Sequence, residues 1–272
     1  CVARADGNPL FLDQLLRHAM EHDGDTVPGS IQSIIQSRLD RLSPMDRRVL
    51  EAAAVLGQRF TVAEVMMVAK LDAYDESPLL KASLIRQLDG GYLFGHALIR
   101  DAVLRTMLRD DLRTRHLRAA EWFRPTDLLR HAEHLAAAQD DAAAPAFLAA
   151  AREAEAAHRK EVALGLAERG LALAAQDPVR GALLGLKGDM LRDLGRAPEA
   201  IAAFEAARAV AVSPGDQCRA LIGVIAAMRI VDRIDDAFAM LDEAEAIAVG
   251  ADLVLELSEI HYFRGSLHFP RG

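Results

Sequence analysis

The chain has 272 residues, enough for two domains with separate cores, and 51% of them are hydrophobic while only 5% are aromatic. Its apolar residues are therefore mainly alanine and leucine, which favour close packing of helices over a sheet core. The net charge of -8, from 40 acidic and 32 basic residues, argues against a general nucleic-acid-binding protein, because such proteins are normally basic.

The cysteines and apolar runs indicate neither a disulfide framework nor a membrane protein. Cys1 and Cys218 are too far apart in sequence to provide metal-ligand spacing. The longest apolar runs, such as Leu221 to Met228, fall far short of the roughly 18 residues that a membrane-spanning helix needs. We therefore expect a cytoplasmic protein. The chain starts and stops inside apparent helical units, so we also expect it to be a piece of a longer protein.

The first 42 residues predict two helices. Pro9 suits the first position of a helix, where its missing N–H costs nothing. The run Asp23-Gly24-Asp25 interrupts the pattern, and Ser30 is placed to cap a second helix. Apolar side chains recur at helical spacing at Leu12, Leu15, Leu16 and Ala19 in the first helix, and at Ile31, Ile34, Ile35 and Leu39 in the second.

Residues 43–124 predict three short helices, a strand and a long helix. This order is typical of a winged-helix domain. The expected elements are helices from Ser43 to Gly57, from Thr61 to about Lys70 and from Ser77 to about Leu88, a turn at Asp89-Gly90-Gly91, a strand at Tyr92–Phe94, and a helix from about His96 to Phe123. Arg124 and Pro125 form the best domain boundary, beyond which the chain is nearly unbroken amphipathic helix.

Comparison of the chain with itself reveals a repeat in residues 125–272. Each unit consists of a helix, a short polar turn and a second helix, and it must stack on its neighbours to bury its apolar faces. These positions resemble the tetratricopeptide pattern, with a looser match over residues 128–176. A shift of 37 positions takes Leu184, Gly188, Leu191, Ala200, Phe204 and Ala207 onto Leu221, Ile225, Met228, Ala237, Leu241 and Ala244, all apolar or small. The predicted fold is therefore mainly α, with a winged-helix-like N-terminal region followed by a tetratricopeptide-like α-solenoid.

No residue pattern in the chain predicts catalysis or a metal site. There is no phosphate-binding loop ending in Gly-Lys-Ser/Thr, and no zinc-binding His-Glu-x-x-His or Cys-x-x-Cys sequence. Two histidine pairs, His18 with His22 and His131 with His134, have metal-ligand spacing but lack a third ligand, so we expect them to lie on solvated helix faces. His261 and His268 share a helix face, and we expect them to line a groove between the repeats rather than a metal site.

The winged-helix-like segment is not expected to bind DNA. Residues 44–123 contain 12 basic and 11 acidic side chains, and phosphate contacts need several cations. The helix that would enter the groove carries only Lys81 and Arg86 as basic residues.

Three further segments resemble the lid and winged helix of STAND-type signalling ATPases. They are Asp6-Gly7-Asn8-Pro9-Leu10-Phe11-Leu12, the stretch from Pro28-Gly29-Ser30 to Arg41-Leu42, and Phe94-Gly95-His96-Ala97-Leu98-Ile99-Arg100-Asp101. In bacteria these modules precede tetratricopeptide-like repeats in LuxR-type transcription activators and in class III adenylate/guanylate cyclases. The stretch from Ile260 to Pro270 looks more like the cyclase-associated branch.

The resemblance implies lid helices over residues 1–42, a winged helix over 43–124 and repeats over 125–272. Pro9 would match the lid proline near adenine, and His96 the histidine that senses the diphosphate of ADP. Ala97 stands where the related eukaryotic motif has an aspartate. The alternative to a sensor role is that His96 caps or packs the start of its helix.

The function that the resemblance implies is a non-catalytic regulatory module of a cyclase or related ATPase regulator. An upstream ATPase core would bind ATP or ADP, and a protein, peptide or small ligand would occupy the repeat groove. This chain itself would hold no cofactor and no metal. A plain tetratricopeptide scaffold and a DNA-binding LuxR-type regulator are the alternatives.

Overall fold

A computed structural model of the chain describes residues 31–174 and 177–268. The chain divides into two compact units, Cys1–Trp122 and Phe123–Gly272. Within the described ranges the architecture is mainly helical, as predicted, and no helix there is long and apolar enough to cross a membrane. The sequence predictions for residues 1–30, including Pro9 and the cap at Ser30, lie outside the described residues.

The first unit combines helices with a small three-stranded antiparallel sheet, of which the sequence predicted only the strand at Tyr92–Phe94. The middle strand β3 (Gly91–Phe94) pairs with β1 (Arg59–Phe60) on one side and with β2 (Ile85–Leu88) on the other. The core lies between this sheet and the helices, with Phe94 and Leu50 almost fully buried. The elements are α1 (Ile31–Asp40), α2 (Pro44–Leu56), β1 (Arg59–Phe60), α3 (Val62–Ala69), α4 (Ser77–Lys81), β2 (Ile85–Leu88), β3 (Gly91–Phe94), α5 (Ala97–Thr106) and α6 (Arg109–Phe123).

The predicted starts of α2 and α3 at Ser43 and Thr61 are confirmed, and each residue caps its helix. The Ser43 hydroxyl accepts the N–H of Asp46 at 3.1 Å. Thr61 and Glu64 form a reciprocal capping box, in which the Thr61 hydroxyl accepts the Glu64 N–H at 3.3 Å and the Glu64 carboxylate accepts the Thr61 N–H at 2.7 Å. Each cap satisfies backbone donors that the helix itself leaves unpaired, and is worth about 1 kcal/mol.

The third predicted helix is much shorter than expected. The prediction of a helix to about Leu88 is wrong, because α4 ends at Lys81 and β2 follows. Ser83 adopts a left-handed conformation with φ 54°, and the N–H of Leu84 bonds to the carbonyl of Leu79 at 3.0 Å. This turn reverses the chain, so the residues after Leu84 pair with β3 instead of extending the helix. The two-residue strand β1 was not predicted at all.

The long helix predicted from about His96 to Phe123 is interrupted. Met107 has extended backbone, with φ -80° and ψ 141°, and separates α5 from α6. Asp110 and Asp111 lie in the first turn of α6, where negative charge is favoured by the helix dipole. These adjacent acids were a sequence signal for a second helix start.

Arginines attach α6 to the earlier helices of the first unit. The Arg115 guanidinium pairs with the Glu51 carboxylate at 2.5 Å. The guanidinium groups of Arg118 and Arg48 donate to the carbonyls of Val68 and Lys70, at 3.1 and 3.2 Å. Both carbonyls lie at the C-terminal end of α3, where cations offset the helix dipole and satisfy unpaired acceptors.

His116 on α6 makes the first unit sensitive to acid. Burial lowers its pKa to about 4 from a usual value of 6.5, and the nearby Arg100 guanidinium acts in the same direction. The folded unit therefore favours neutral imidazole, so its stability is retained above pH 6.5 and falls as the pH drops toward 4. We expect wild type to lose about 1–2 kcal/mol more than His116→Gln over this range, allowing for partial exposure of the ring. Urea titrations at pH 7 and pH 4.5, followed by Trp122 fluorescence, measure the difference, and equal losses in both proteins would contradict it.

The second unit is a run of helices joined by tight turns. Consecutive helices pack in pairs as antiparallel hairpins, and the hairpins stack side by side. The three hairpins are α8 (Ala143–Ala156) with α9 (Lys160–Leu173), α10 (Asp177–Asp193) with α11 (Ala197–Ala209), and α12 (Pro214–Ile230) with α13 (Ile234–Gly250). Helix α14 packs on both α12 and α13, in the place of the first helix of a fourth hairpin. The elements are α7 (Leu128–Ala137), α8 (Ala143–Ala156), α9 (Lys160–Leu173), α10 (Asp177–Asp193), α11 (Ala197–Ala209), α12 (Pro214–Ile230), α13 (Ile234–Gly250) and α14 (Val254–His268).

The 37-residue period extends over all three hairpins. Their second helices begin at Lys160, Ala197 and Ile234, and all twelve positions of the predicted repeat are buried. The turn before each second helix contains a residue with positive φ, namely His158 at 57°, Gly195 at 76° and Asp232 at 59°. The first hairpin, whose sequence match is looser, fills the same positions with Phe147, Ala151, Ala154, Ala163, Ala167 and Gly170, which are also buried.

Candidate functional site

A groove with a volume of about 740 Å³ runs across the first helices of the hairpins. Its lining residues come from α8, α10, α12 and α14, with Phe204 and Ala207 of α11 at the floor and residues 210–212 at one rim. Stacked hairpins place their first helices side by side, so they form one continuous surface. The groove therefore lies wholly within the second unit.

Small residues form much of the groove floor. Gly181, Ala182 and Gly185 lie on α10, and Gly223 and Ala226 lie on α12. A Cβ atom added at Gly185 would meet no heavy atom within 4 Å, so this position faces open space. A bound chain can thus approach the backbone of α10 closely.

Phe204 at the groove floor packs against two glycines. Its ring lies between Gly188 on α10 and Gly223 on α12. A Cβ atom at Gly188 would come within 2.6 Å of the ring, and one at Gly223 within 2.5 Å. The ring therefore fills the space between these close helices and links two hairpins.

Charged and aromatic side chains line the two ends of the groove. On α10, the Arg192 guanidinium binds the carboxylates of Asp189 at 2.9 Å and Asp193 at 3.2 Å. At the α14 end, Tyr262 is 68% exposed and meets Phe263 edge to face, with ring centroids 5.5 Å apart. The groove thus offers both ionic and apolar contacts.

The Asp189 carboxyl lies in an unfavourable environment for its charge. Its burial raises the pKa above the usual range, and the Glu155 and Asp193 carboxylates act in the same direction, while Arg192 opposes them. A carboxylate that remains short of positive charge in a groove gains from an added cation.

His96 in the first unit caps α5. Its Nδ1 atom accepts the N–H of Leu98 at 3.1 Å, and the side chain is half-buried. In neutral imidazole an accepting Nδ1 leaves the proton on Nε2, which remains a donor. The position of Pro9 relative to His96 lies outside the described residues.

The prediction that His131 and His134 lie on a solvated helix face is wrong for His134. His134 is buried and stacks on Phe123, with ring centroids 5.6 Å apart. His261 and His268 do not line the groove, because they contact Glu245 and Phe238 on α13. Over residues 31–174 and 177–268, no group of three or more candidate metal ligands exists. His18 and His22 lie outside these ranges.

Comparisons with known proteins identify the fold. No protein-family model matches the chain, and no curated protein sequence matches it. The fold is similar to that of a Signal Transduction ATPase with Numerous Domains (STAND) protein with a tetratricopeptide repeat sensor from Pyrococcus horikoshii, with a TM-score of 0.66 and 13% identity. The match covers 98% of this chain and 40% of that one.

A second solved structure, aspartyl phosphate phosphatase F from Bacillus subtilis, matches with a TM-score of 0.48 and 14% identity, over 92% of this chain and 72% of that one. Identities this low show the fold alone. The tetratricopeptide-like solenoid is therefore established, and the chain spans about 40% of the length of the STAND protein that it matches.

Sequence reasoning missed the residues that line the groove. Glu155, Asp189 and Arg192 were not singled out, because the sequence comparison followed only the apolar positions of the repeat. The same 37-residue spacing takes Arg152 to Asp189, Ala226 and Phe263, and all four line the groove. A comparison of the polar residues at 37-residue spacing was the sequence signal that could have identified this lining.

Proposed function

We propose that the second unit is a non-catalytic interaction module that binds a polypeptide in the groove across α8, α10, α12 and α14. The observation that carries this proposal is the groove itself, about 740 Å³ in volume and floored by glycine and alanine. Curved stacks of helical hairpins suit such binding, because their first helices offer an extended concave surface. A protein-interaction role in the cytoplasm is in keeping with the buried free thiol of Cys218.

Blocking the floor tests this role. Gly185→Trp would place an indole in open space on α10, and we expect it to weaken peptide binding at least tenfold. Gly165 on α9 also has no heavy atom within 4 Å of an added Cβ, but it lies outside the groove lining. Gly165→Trp is therefore a matched control that should bind like wild type.

Random dodecapeptides displayed on phage supply the probes. They are selected against wild type, and fluorescence polarisation then compares the affinities of the two variants for the selected peptides. Equal binding by Gly185→Trp and Gly165→Trp, or no selected peptide at all, would contradict a groove-binding function.

We propose in addition that the first unit is part of a nucleotide-controlled ATPase module, with a cyclase or transcription regulator as its output. The geometry of His96 supports this, since its Nε2–H remains able to donate to a phosphate oxygen while Nδ1 caps α5. The fold similarity to a STAND protein over nearly the whole chain supports it as well. ATP or ADP would be bound by an upstream core together with the lid proline, Pro9.

Two substitutions of His96 separate capping from phosphate binding in the longer protein that contains the core. Asparagine keeps a side-chain acceptor for the cap, whereas alanine removes it. We expect His96→Asn and His96→Ala to weaken ADP binding about equally, by roughly tenfold, because both lack the Nε2–H donor. Calorimetric titration with ADP measures this. If His96→Asn binds ADP with wild-type affinity, His96 only caps α5 and does not bind phosphate.

A further inference from the structure

The chemistry of the groove changes from one end to the other. The position that recurs every 37 residues is Arg152 on α8, Asp189 on α10, Ala226 on α12 and Phe263 on α14. At this repeated position the side chains are charged on α8 and α10, here called the charged end, and apolar on α12 and α14, here called the apolar end. Asp216 and Arg219 of α12 and Glu259 of α14 also line the groove. Such a groove distinguishes the two ends of a bound chain.

The apolar end has room for a large side chain. Ile222 and Ala226 form a buried floor there, and the rings of Tyr262 and Phe263 stand beside it. Tyr262 is 68% exposed, and it lies directly beside the groove. An exposed aromatic group beside a groove is a common anchor point for a partner's apolar side chain.

At the charged end, Glu155 on α8 lies close enough to Asp189 on α10 for the two carboxylates to repel each other. Arg192 is already paired with Asp189 and Asp193, whereas the Glu155 side chain forms no hydrogen bond or ion pair with described residues. Arg152 also lacks such a partner, but it is exposed to solvent, where its charge is screened, while Glu155 and Asp189 are half-buried. Over the whole groove, four acidic side chains face three basic ones: Glu155, Asp189, Asp216 and Glu259 against Arg152, Arg192 and Arg219.

The spacing of the helices sets the length of the ligand. Packed helices lie up to roughly 10 Å apart, and at that spacing two or three steps from the charged end to α14 span roughly 20–30 Å. An extended chain advances about 3.3 Å per residue, and roughly six to nine residues would cover this distance.

We infer that the groove binds an extended peptide with a lysine or arginine near Glu155 and Asp189, and a large apolar residue about six to nine positions away against Tyr262 and Phe263. This inference rests on the proposed peptide-binding function and adds the chemistry of the ligand. The raised pKa of Asp189 agrees with it, because a bound cation would relieve the charge repulsion there.

The test uses the dodecapeptides selected on phage against the whole chain. We expect them to carry a basic residue and a large apolar residue at this separation, and exchange of the basic residue for glutamate should weaken binding at least tenfold. Glu155→Lys should weaken binding of the original peptide by a similar factor. Glu153→Lys makes the same charge change on α8 outside the groove lining, and should alter binding less than twofold.

The outcomes distinguish the inference from the function on which it rests. Peptides that are blocked by Gly185→Trp but carry no basic residue, or that bind Glu155→Lys as well as wild type, would overturn the inference and leave the groove function intact. If no peptide depends on the groove, the proposed function fails and the inference fails with it.

Discussion

Replacing Phe204 by alanine is expected to lower the free energy of unfolding of the second unit by about 3–5 kcal/mol. The ring is only 3% exposed, and it fills the space between α10 and α12 from its position on α11. Its removal leaves a cavity between two hairpins, so it weakens the stacking as well as one hairpin. Urea denaturation followed by helical circular dichroism measures the loss.

The glycines on either side of this ring allow a sharper form of the experiment. In the wild type, Gly188→Ala should cost about 1–3 kcal/mol, because the added Cβ would lie 2.6 Å from the ring. In the Phe204→Ala background the clash is gone, and the same change should stabilise the unit by about 0.5–1 kcal/mol through helix propensity. The coupling between the two sites thus reverses the sign of the Gly188→Ala effect. Equal effects in both backgrounds would show that the ring does not lie against Gly188.

Replacing Phe94 by alanine is expected to destabilise the first unit by about 3–5 kcal/mol. Phe94 is fully buried at the end of β3 and meets the Phe60 ring edge to face, with centroids 5.5 Å apart. Its N–H bonds to the carbonyl of Gln58 at 3.0 Å, and its carbonyl accepts from the Gln58 side chain at 3.0 Å. The side chain therefore anchors the middle strand of the sheet to the helical core.

Leu93 provides the control on the same strand. Its side chain points to the opposite face and is only half-buried, so Leu93→Ala should cost about 1 kcal/mol or less. The single tryptophan, Trp122, lies in the first unit, and its fluorescence can follow the unfolding of that unit in urea. If both variants lose similar stability, the assigned strand faces are wrong.

Sequence predicted best those parts of the fold in which the side chains allow few alternative local structures. Ser43 and Thr61 predicted helix starts, because their hydroxyls can accept from the first turn. The apolar and small positions from Leu184 to Ala244 predicted nested hairpins, because only stacking buries them. Both kinds of evidence are local or strictly periodic.

The errors arose where tertiary contacts or single backbone angles decide the structure. Ile85 continues an apolar helical pattern, but the left-handed turn at Ser83 and pairing with Phe94 make it the start of a strand. The first hairpin matched the repeat pattern only loosely, because its large aromatic side chain lies on a different helix. Phe147 on α8 packs against Gly170 on α9, whereas the second hairpin has Gly188 on its first helix and Phe204 on its second. The phenylalanine and the glycine have thus exchanged helices between the two hairpins.

The candidate site was only partly accessible from sequence. The existence of a groove followed from the repeat, and His96 was singled out from the family resemblance. The negative charge at Glu155 and Asp189 depends on which polar residues of two separate helices face the groove and which of them are already paired. Those facts require the packed structure, because charges on different helices show no local sequence pattern.

Hydrogen–deuterium exchange with and without a selected, groove-dependent peptide locates the bound ligand on the second unit. We expect bound peptide to slow exchange in the first helices α8, α10, α12 and α14, and to leave α9 and α13 unchanged. Protection concentrated on α9 and α13 would place the ligand on the opposite surface and contradict binding in the groove.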